Sequence, residues 1–254
     1  MTIKVETLYR YPIKGLSPEQ VSQVQVEAGQ YFPGDRIFAI ENGRSGFDPL
    51  APQFLPKTRF LMLMKHEQLA RLTTHYDEAS GELTLAHQGE RKITFALRAE
   101  AGPQALRDYL IAFFKPKINV DPQILAAPEG FRFTDSRRSG FVSLLNLNSV
   151  RDLSRLAGAE VDPLRFRANL HFDGLAAWQE MQWIGRRLQI GGAQFKILKA
   201  IDRCPATHVN PLTAKRDLDM VGLLEENFGH NQCGIYAKIF QSGLISAQDQ
   251  IELI

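Results

Sequence analysis

Cysteine is scarce in this sequence, and its scarcity excludes several kinds of site. The 254 residues include only two cysteines, Cys204 and Cys233. Two thiols are too few for an ordinary iron–sulfur cluster, which is held by a larger set of ligands. No CxxC or HxxxH pair occurs, so a structural zinc site is not expected. Nothing in the sequence indicates secretion, so a structural disulfide is not expected either.

The sequence also lacks a surplus of one charge and a long apolar run. The formal net charge is only +2, from 30 basic and 28 acidic residues, whereas nucleic-acid binders usually carry a concentrated basic face. The longest apolar candidate, residues 60–64, is far shorter than the roughly 20 residues that span a bilayer. Residues 1–9 lack the apolar segment of a signal peptide. We therefore predict a cytoplasmic protein without nucleic-acid or membrane partners.

Common loop motifs of enzymes are missing too. The patterns GxGxxG and GxxxxGK[ST], which bind nucleotide phosphates, do not occur. The GxSxG elbow is absent, so a serine hydrolase triad has no support. Hydrophobic residues make up 44% of the chain, which is enough to fill a globular core.

Strand patterns dominate the chain. Val24 and Val26 alternate with glutamines, which is typical of a half-buried strand. We predict further strands at residues 35–40, 60–64, 83–86, 93–97, 141–145, 165–172, 187–190, 193–201, 234–240 and 248–254. The pairs 83–86 with 93–97 and 234–240 with 248–254 are expected to be hairpins. No regular strand–helix alternation appears, so we predict a strand-dominated α+β fold, a mostly antiparallel β-barrel with a few packed helices.

Helical patterns are few and short. Residues 103–114 place Leu106, Leu110 and Phe113 on one side, as a helix does. A second helix is predicted to begin near Ser149 and Asp152, which resemble a capping box, and to end at Gly158. Residues 223–228 indicate a third, short helix.

Cys204 is the first candidate for chemistry. It follows a long predicted strand and stands between Arg203 and a proline, and a neighbouring cation favours the reactive thiolate. His208 is a candidate for a second activating group or a base. The alternative is that Cys204 is a small buried apolar side chain, which is the commoner role of a lone cysteine. For Cys233, which begins an apolar strand without a charged neighbour, we favour that alternative.

Two segments are candidates for binding an anion. Lys14 and Gly15 follow the first predicted strand and would combine an ammonium with a closely approachable backbone. Arg165, Arg167 and Asn169 alternate within a predicted strand and would share one face, where guanidinium groups bind phosphate well. The alternative for both is a solvated surface.

These segments together resemble the MOSC family. The chain contains, in this order, YPIKG at 11–15, DRIFAI at 35–40, RFRANL at 165–170, WQE at 178–180, WIG at 183–185, RCPATHVNP at 203–211 and CGIYA at 233–237. The set is similar to proteins in which a MOSC N-terminal β-barrel region precedes a MOSC domain. The mitochondrial amidoxime-reducing component and its bacterial relatives share that arrangement. The resemblance implies a division into residues 1–97 and 98–254.

The resemblance also implies a molybdenum cofactor and the residues that bind it. Cys204 would be the protein ligand to molybdenum, which agrees with the affinity of soft thiolates for such metals. Lys14 and Gly15 would hold the cofactor phosphate. The remaining expected binding residues are Arg167, Asn169, Arg203 and Tyr236, with Ser139 and Gly140 at the same rim.

The sequence departs from the close relatives at one point. They carry a threonine-alanine-arginine segment after the DRxF strand, and its arginine helps to bind the cofactor. Here the corresponding stretch reads GFDP at 46–49 and PKTR at 56–59, with Lys57 as a possible substitute. Some bacterial relatives also carry a C-terminal iron–sulfur domain, and since this sequence ends at Ile254, we expect a separate electron-transfer protein.

The sequence therefore predicts a molybdenum-cofactor oxidoreductase that reduces N-hydroxylated or other N-oxygenated small molecules. Asp202 and His208 are candidates for relaying a proton, and a purely structural role is the alternative for each. A second hypothesis is a sulfur carrier or cofactor-handling module with a persulfide on Cys204. A third is a binding protein without catalytic activity on the same fold.

Overall fold

The computed structural model describes residues 2–87, 92–114, 121–134 and 142–254. The strands of this part are β1 Lys4–Arg10, β2 Glu19–Val21, β3 Gln23–Val26, β4 Phe38–Ile40, β5 Leu72–Asp77, β6 Glu82–His87, β7 Ile93–Ala96, β8 Ile124–Ala126, β9 Val142–Asn146, β10 Leu170–Asp173, β11 Arg187–Ile190, β12 Ala193–Asp202, β13 Gln232–Gln241, β14 Gly243–Ser246 and β15 Ile251–Leu253. Its helices are α1 Gly102–Phe114, α2 Leu147–Ala157 and α3 Met220–Phe228.

Eight strands form one sheet that curls on itself. The order is β15-β11-β12-β13-β9-β10-β1-β2, and every neighbouring pair is antiparallel except β9 with β10. Backbone hydrogen bonds of 2.9 Å run from Ile251 N to Ile3 O and from Val5 N to Asp249 O, so β15 meets β1. The prediction of a strand-dominated α+β fold built on a mostly antiparallel barrel is therefore confirmed.

Alternating side chains fill this barrel. On β12, Ala193, Phe195 and Ile197 are buried, whereas the residues between them are partly exposed. Complete burial contributes about 1.5–3 kcal/mol for a large apolar side chain such as that of Phe195. The same β12 strand carries Cys204 just beyond its last residue, so the core that stabilises the strand also positions the thiol.

The N-terminal part adds a second apolar cluster beside the barrel. Strands β5, β6 and β7 form an antiparallel sheet, which confirms the predicted hairpin at 83–97. Helix α1 packs against it through Leu106, Leu110 and Phe114. No helix in the described ranges is long and apolar enough to cross a membrane. The division at residue 97 stays a prediction, because β1 and β3 of the first part pair with β10 and β14 of the second.

Two apolar stretches of the first part differ from the predicted strands. Of residues 35–40, only Phe38–Ile40 form a strand. Residues 60–64 do not form one, since only Phe60 bridges to Glu41, and the chain then turns, with His66 N donating to Met62 O at 2.9 Å. The apolar side chains of residues 60–63 are buried all the same, so burial without alternation indicated a strand where a turn exists.

Helix α2 begins two residues before the predicted start. Asn146 is its N-cap, and the side chain accepts a hydrogen bond from Asn148 N. Ser149 instead donates to buried Glu180 at 2.7 Å, and Asp152 accepts from the indole of Trp178 at 2.8 Å. The predicted capping box is therefore wrong, whereas Gly158 ends the helix in the left-handed conformation as predicted.

The predicted strand at 165–172 is also wrong in its first half. Asp162 caps a short 3₁₀ turn at Pro163–Phe166, and Arg167 then has a positive φ of 53°. Strand β10 starts only at Leu170, so Arg165, Arg167 and Asn169 do not alternate along one strand face.

The C-terminal strands pair differently from the predicted hairpin. Strand β15 pairs with β11, and β14 pairs with β3, so residues 234–240 and 248–254 do not form a hairpin with each other. Strand β13 instead lies between β12 and β9.

Candidate functional site

A cleft of about 160 Å³ lies where the N-terminal part meets the barrel. Its walls come from the segment after β1, the turn at residues 62–64, the 3₁₀ turn before β10 and the ends of β12 and β13. The structure brings seven predicted site residues into it, namely Lys14, Gly15, Arg167, Asn169, Arg203, Cys204 and Tyr236. Their functional roles stay predictions, but the cleft gives them a common location. Ser139 and Gly140 lie outside the described residues.

Cys204 is a partly exposed thiol fixed by its own backbone. It directly precedes a 3₁₀ turn that begins at Pro205. Its carbonyl oxygen accepts two hydrogen bonds of 3.0 Å, one from the backbone N and one from the hydroxyl of Thr207. A proline fixes φ at the first position of the turn, so the chain leaves Cys204 in one direction.

Cys233 has the environment of a small apolar side chain. It is fully buried in a cluster with Leu145, Met220 and Leu224. Burial raises the pKa of the Cys233 thiol to about 12. A thiol that stays protonated in the core is a poor nucleophile, so Cys233 is not a candidate for chemistry.

Arg203 is buried behind the cleft and holds two loop carbonyls. Its Nε donates to Cys233 O at 2.7 Å, and its Nη1 donates to Phe166 O at 2.8 Å. Burial lowers the pKa of this guanidinium. The remaining nitrogen, Nη2, is buried and has no hydrogen-bond partner within the described ranges. Buried donors are nearly always paired, so this N–H marks a place for a ligand atom.

Arg36 and Arg167 both contact the ring of Tyr11. The guanidinium carbons lie 4.9 Å and 4.3 Å from the ring centroid, within cation–π distance. Arg167 donates to Leu16 O at 2.6 Å, while Arg36 donates to Arg167 O at 3.2 Å and pairs with Asp35. Burial opposes the charge of Arg36, but Asp35 outweighs it and raises the pKa of Arg36.

Lys14 and Gly15 line the cleft from the N-terminal part of the chain. The Lys14 ammonium is mostly buried and donates to Phe133 O at 3.1 Å. Gly15 has a positive φ of 87°, and a Cβ there would lie 3.1 Å from Leu61 O. Glycine is therefore required on steric grounds, and its backbone stays approachable from the cleft.

The Asn169 side chain is held by two strands, and this limits what it can do. Its Oδ1 accepts from the backbone N and the hydroxyl of Ser143, at 3.1 and 2.9 Å. Its Nδ2 donates to Tyr9 O at 3.2 Å. Ser143 faces Tyr236 across the β9–β13 pair. The amide thus joins β9, β1 and the segment before β10, so Asn169 positions its neighbours at least as much as it offers a donor.

Positive charge dominates the cleft. Its lining includes six cationic side chains and two carboxylates, which are Lys14, Arg36, Lys57, Arg165, Arg167 and Arg203 against Asp35 and Asp202. Asp35 is paired with Arg36, and Arg165 is paired with Asp217 outside the cleft at 2.6 Å. The excess favours an anionic ligand beside the thiol.

The two proton-relay candidates differ in position. Asp202 lines the cleft and accepts a hydrogen bond from Gln232 Nε2 at 3.1 Å. His208 is not among the lining residues, and its Nε2 lies 3.1 Å from Asp219.

Within residues 2–87, 92–114, 121–134 and 142–254, no group of three or more His, Cys, Asp or Glu side chains could hold a metal ion.

Several lining residues were not predicted from the sequence. Arg36 and Asp35 belong to the quoted DRIFAI segment, but only their distant contacts place them in the cleft. Ser143 gave no signal, since its role depends on pairing with Asn169. Lys57, the possible substitute for the relatives' arginine, does line the cleft.

Two family models match the sequence. Residues 2–112 match the MOSC N-terminal beta barrel domain, and residues 134–252 match the MOSC domain. The two matches are adjacent and cover almost the whole chain. No curated protein matches.

Three solved structures are similar in chain path at low sequence identity. The YUAD protein from Bacillus subtilis is 13% identical, with a TM-score of 0.48 over 100% of this chain and 96% of its own. YiiM from Geobacillus stearothermophilus is 14% identical, with a TM-score of 0.36 over 47% of this chain and 56% of its own. YiiM from Escherichia coli is 22% identical, with a TM-score of 0.34 over 50% of this chain and 57% of its own.

Proposed function

Because the chain belongs to the MOSC family, with a MOSC N-terminal beta barrel domain before the MOSC domain, we propose that its cleft binds the molybdenum cofactor for an oxidoreductase reaction. The proposed reaction is the two-electron reduction of N-hydroxylated or other N-oxygenated small molecules. In this proposal a separate electron-transfer protein supplies the electrons. The observation that carries it is the Cys204 thiol in the same cleft as six cationic side chains.

The residues present fit the cofactor in charge and in donor type. The cofactor ends in a phosphate, and the cationic excess provides the charge-assisted hydrogen bonds that a phosphate needs. The unpartnered Nη2 of Arg203 is a donor without a protein acceptor in the described ranges. Cys204 offers one soft thiolate, and one protein ligand is enough when the cofactor brings its own sulfurs to the metal.

The proposed binding residues divide between the phosphate, the pterin and the metal of the cofactor. Lys14, Gly15 and Arg167 would hold the phosphate, Arg203 and Tyr236 would contact the pterin, and Asn169 would keep the wall between them in place. Cys204 would ligate molybdenum. When bound, the cofactor supplies a metal centre that exchanges two electrons and an oxygen atom with a substrate.

The protein's own contribution is positioning and proton supply. Thr207 holds the Cys204 carbonyl, so the backbone that carries the thiol is fixed beside the cations of the cleft. Asp202 reaches the cleft and is the better placed of the two proton-relay candidates, since Asp219 engages His208. We assign the proton transfer to an Asp202 carboxylate oxygen, with water as the source.

The test compares metal and pterin content in the wild type, Cys204→Ser and Cys233→Ala. All three are purified from a host that makes the cofactor, molybdenum is measured by elemental mass spectrometry, and pterin by fluorescence after oxidation. We expect near-stoichiometric metal and pterin in the wild type and in Cys233→Ala, with metal lost in Cys204→Ser. Metal retained in Cys204→Ser at the wild-type level would show that the thiolate is not the ligand.

A second candidate function is a sulfur carrier, favoured by the partial exposure of Cys204 in a cationic cleft. A persulfide on Cys204 would be reachable from solvent and stabilised as an anion by nearby guanidinium groups. A carrier would hold sulfur on Cys204 without stoichiometric molybdenum or pterin. Mass spectrometry of the intact chain distinguishes the two functions, since a persulfide adds one sulfur atom to the wild type and none to Cys204→Ser.

A further inference from the structure

Arg216 joins the two walls of the cleft through their main chains. Its Nη2 donates to Leu63 O and Met64 O, both at 2.8 Å, and its Nη1 donates to Pro205 O at 3.0 Å. The carboxylate of Glu67 lies 3.6 Å from Nη2. One guanidinium therefore links the turn at residues 62–64 to the residue that follows Cys204, although more than 150 positions separate Arg216 from Leu63 and Met64 in sequence.

These two segments both contribute to the cleft lining and meet at the Arg216 guanidinium. Met62, Leu63 and Met64 line it from the N-terminal part, and Ala206 and Thr207 line it from the loop after Cys204. Arg216 itself does not line the cleft. It therefore acts on the cleft only through the segments that it holds.

The loop after Cys204 is braced independently of Arg216's side chain. The backbone of Val209 bridges to that of Arg216, and Arg165 donates to His208 O at 2.9 Å and pairs with Asp217. The segment Met62 to Met64 is closed as a local turn, with Lys65 N and His66 N donating to Met62 O at 3.0 and 2.9 Å. Among the described residues, its hydrogen bonds to the C-terminal part come from Arg216. If the hydrogen bonds of the Arg216 guanidinium are lost, we expect the segment Met62 to Met64 to become more mobile than the loop after Cys204.

We propose that Arg216 is a positioning residue that holds the Met62–Met64 wall against the Cys204 loop and thereby limits the size of molecule that reaches the thiol. Three main-chain carbonyls in two segments match the planar, forked donor set of arginine. A lysine supplies one compact ammonium and cannot span both segments in the same way. As a selector of substrate size the inference rests on the proposed function, but the restriction of access to Cys204 does not need the cofactor.

The test measures Cys204 alkylation by two maleimides that share one electrophile and differ in size. Full-length protein from a host that lacks the cofactor is treated with N-methylmaleimide or N-(1-pyrenyl)maleimide, and the rate ratio of small to large reagent is recorded. In Arg216→Ala we expect this ratio to fall about tenfold, which corresponds to about 1.4 kcal/mol of easier wall opening, well within the contribution of three hydrogen bonds. Arg216→Lys is expected to lower the ratio as well, because lysine keeps the positive charge but lacks the planar pair of donor groups that bonds both segments.

Arg186→Ala is the matched control, since Arg186 is exposed and does not line the cleft. It should leave the ratio unchanged, and Cys204→Ser should remove labelling because Cys233 is buried. An unchanged ratio in Arg216→Ala, or an equal rise in both rates, would overturn the proposal. If the alanine variant does not fold, Arg216→Lys carries the test by the same criteria.

A second measurement separates this inference from the proposed function. In cofactor-loaded protein, Arg216→Ala should raise kcat/KM for bulky N-hydroxylated substrates relative to small ones, with molybdenum content unchanged. A shift in the maleimide ratio without any turnover by the loaded wild type would leave the size restriction standing and reject the oxidoreductase. Turnover by the loaded wild type with no shift in the maleimide ratio would support the oxidoreductase and reject the size restriction.

Discussion

Cys204 follows the end of β12, and Cys233 lies near the start of β13, its antiparallel neighbour, so the two thiols come from adjacent strand ends. Cys204 is partly exposed in a cationic cleft, whereas Cys233 is fully buried among apolar side chains. Both segments contact Arg203, since Cys204 follows it in the chain and Cys233 O accepts from its Nε. The two like side chains therefore differ in availability through burial, which raises the pKa of Cys233 although the charge of Arg203 lowers it.

Arg203 holds the segments around the two thiols through their main chains. Arg203 uses two of its nitrogens to hold the carbonyls of Cys233 and Phe166, and both carbonyls belong to segments behind the cleft. The third nitrogen stays without a partner in the part of the chain that the structure describes. Stability and ligand binding are therefore expected to respond together when this junction is disturbed.

The largest expected effect is a loss of stability at high pH, where the Cys233 thiol ionises in the unfolded chain but not in the folded protein. Burial raises the pKa of Cys233 to about 12 in the folded protein, while a thiol in an unfolded chain titrates near 8.5, roughly its free value. Between these values the unfolded chain binds fewer protons, so the free energy of unfolding falls as pH rises through this window. The slope is at most about 1.4 kcal/mol per pH unit, and this contribution is fully present below the unfolded value.

Denaturant unfolding between pH 8 and pH 11 measures this effect in a Cys204→Ala background, where Cys233 is the only thiol. The matched variant, Cys204→Ala with Cys233→Ala, lacks the titrating group, and its stability should decline less steeply with pH. Other groups titrate equally in both proteins, so the difference isolates Cys233. Equal slopes would show that Cys233 is not protected from ionisation by burial.

An effect of similar size is expected from Gly234→Ala, which disturbs the contact between Cys233 and Arg203. Gly234 has a φ of +74°, and a Cβ would lie 2.7 Å from Leu144 O and 3.0 Å from Arg203 Nη2. The substitution combines backbone strain with a collision against main chain, so we expect a loss of about 2–4 kcal/mol in the free energy of unfolding. The displaced Arg203 should also raise the labelling rate of Cys204.

Gly229→Ala is the control for backbone strain alone. Gly229 has a nearly identical φ of +73°, but a Cβ there would meet nothing within 4 Å. Its substitution should cost about 1 kcal/mol and leave Cys204 labelling unchanged. If both variants lose the same stability, close packing at Arg203 is not what constrains Gly234.

Local patterns explain which parts of the fold the sequence predicted. The hairpin of β6 and β7 and the end of α2 at Gly158 depend on residues close in sequence, and both were predicted correctly. The strand expected at 165–172 failed because Asp162 and Pro163 start a 3₁₀ turn that outweighs the alternating pattern. The expected C-terminal hairpin failed because β14 and β15 pair with strands far away along the chain.

The structure brings predicted site residues together even where the predicted local structure is wrong, while their roles stay predictions. Arg167 and Asn169 line the cleft although the strand face that was meant to bring them together does not exist. Arg36 was not predicted, because its bond to Arg167 O spans 131 positions and no local pattern contains it. Motifs identified the residue types that a site needs, whereas long-range contacts decided which further side chains joined them.

The smallest expected effect is a loss of stability when one hydrogen bond to the carbonyl oxygen of Cys204 is removed. Thr207 is buried, and its hydroxyl donates to Cys204 O at 3.0 Å, but the backbone N of Thr207 bonds the same oxygen. Thr207→Val keeps the shape and removes one of the two bonds, so we expect a loss of about 1 kcal/mol by denaturant unfolding. Thr73→Val, at an exposed strand position, should stay within about 0.5 kcal/mol of the wild type. If Cys204 ligates molybdenum as proposed, Thr207→Val should keep the metal content of the wild type, because the backbone bond persists. A loss of metal in this variant would mean that the hydroxyl contributes something that the backbone bond does not replace.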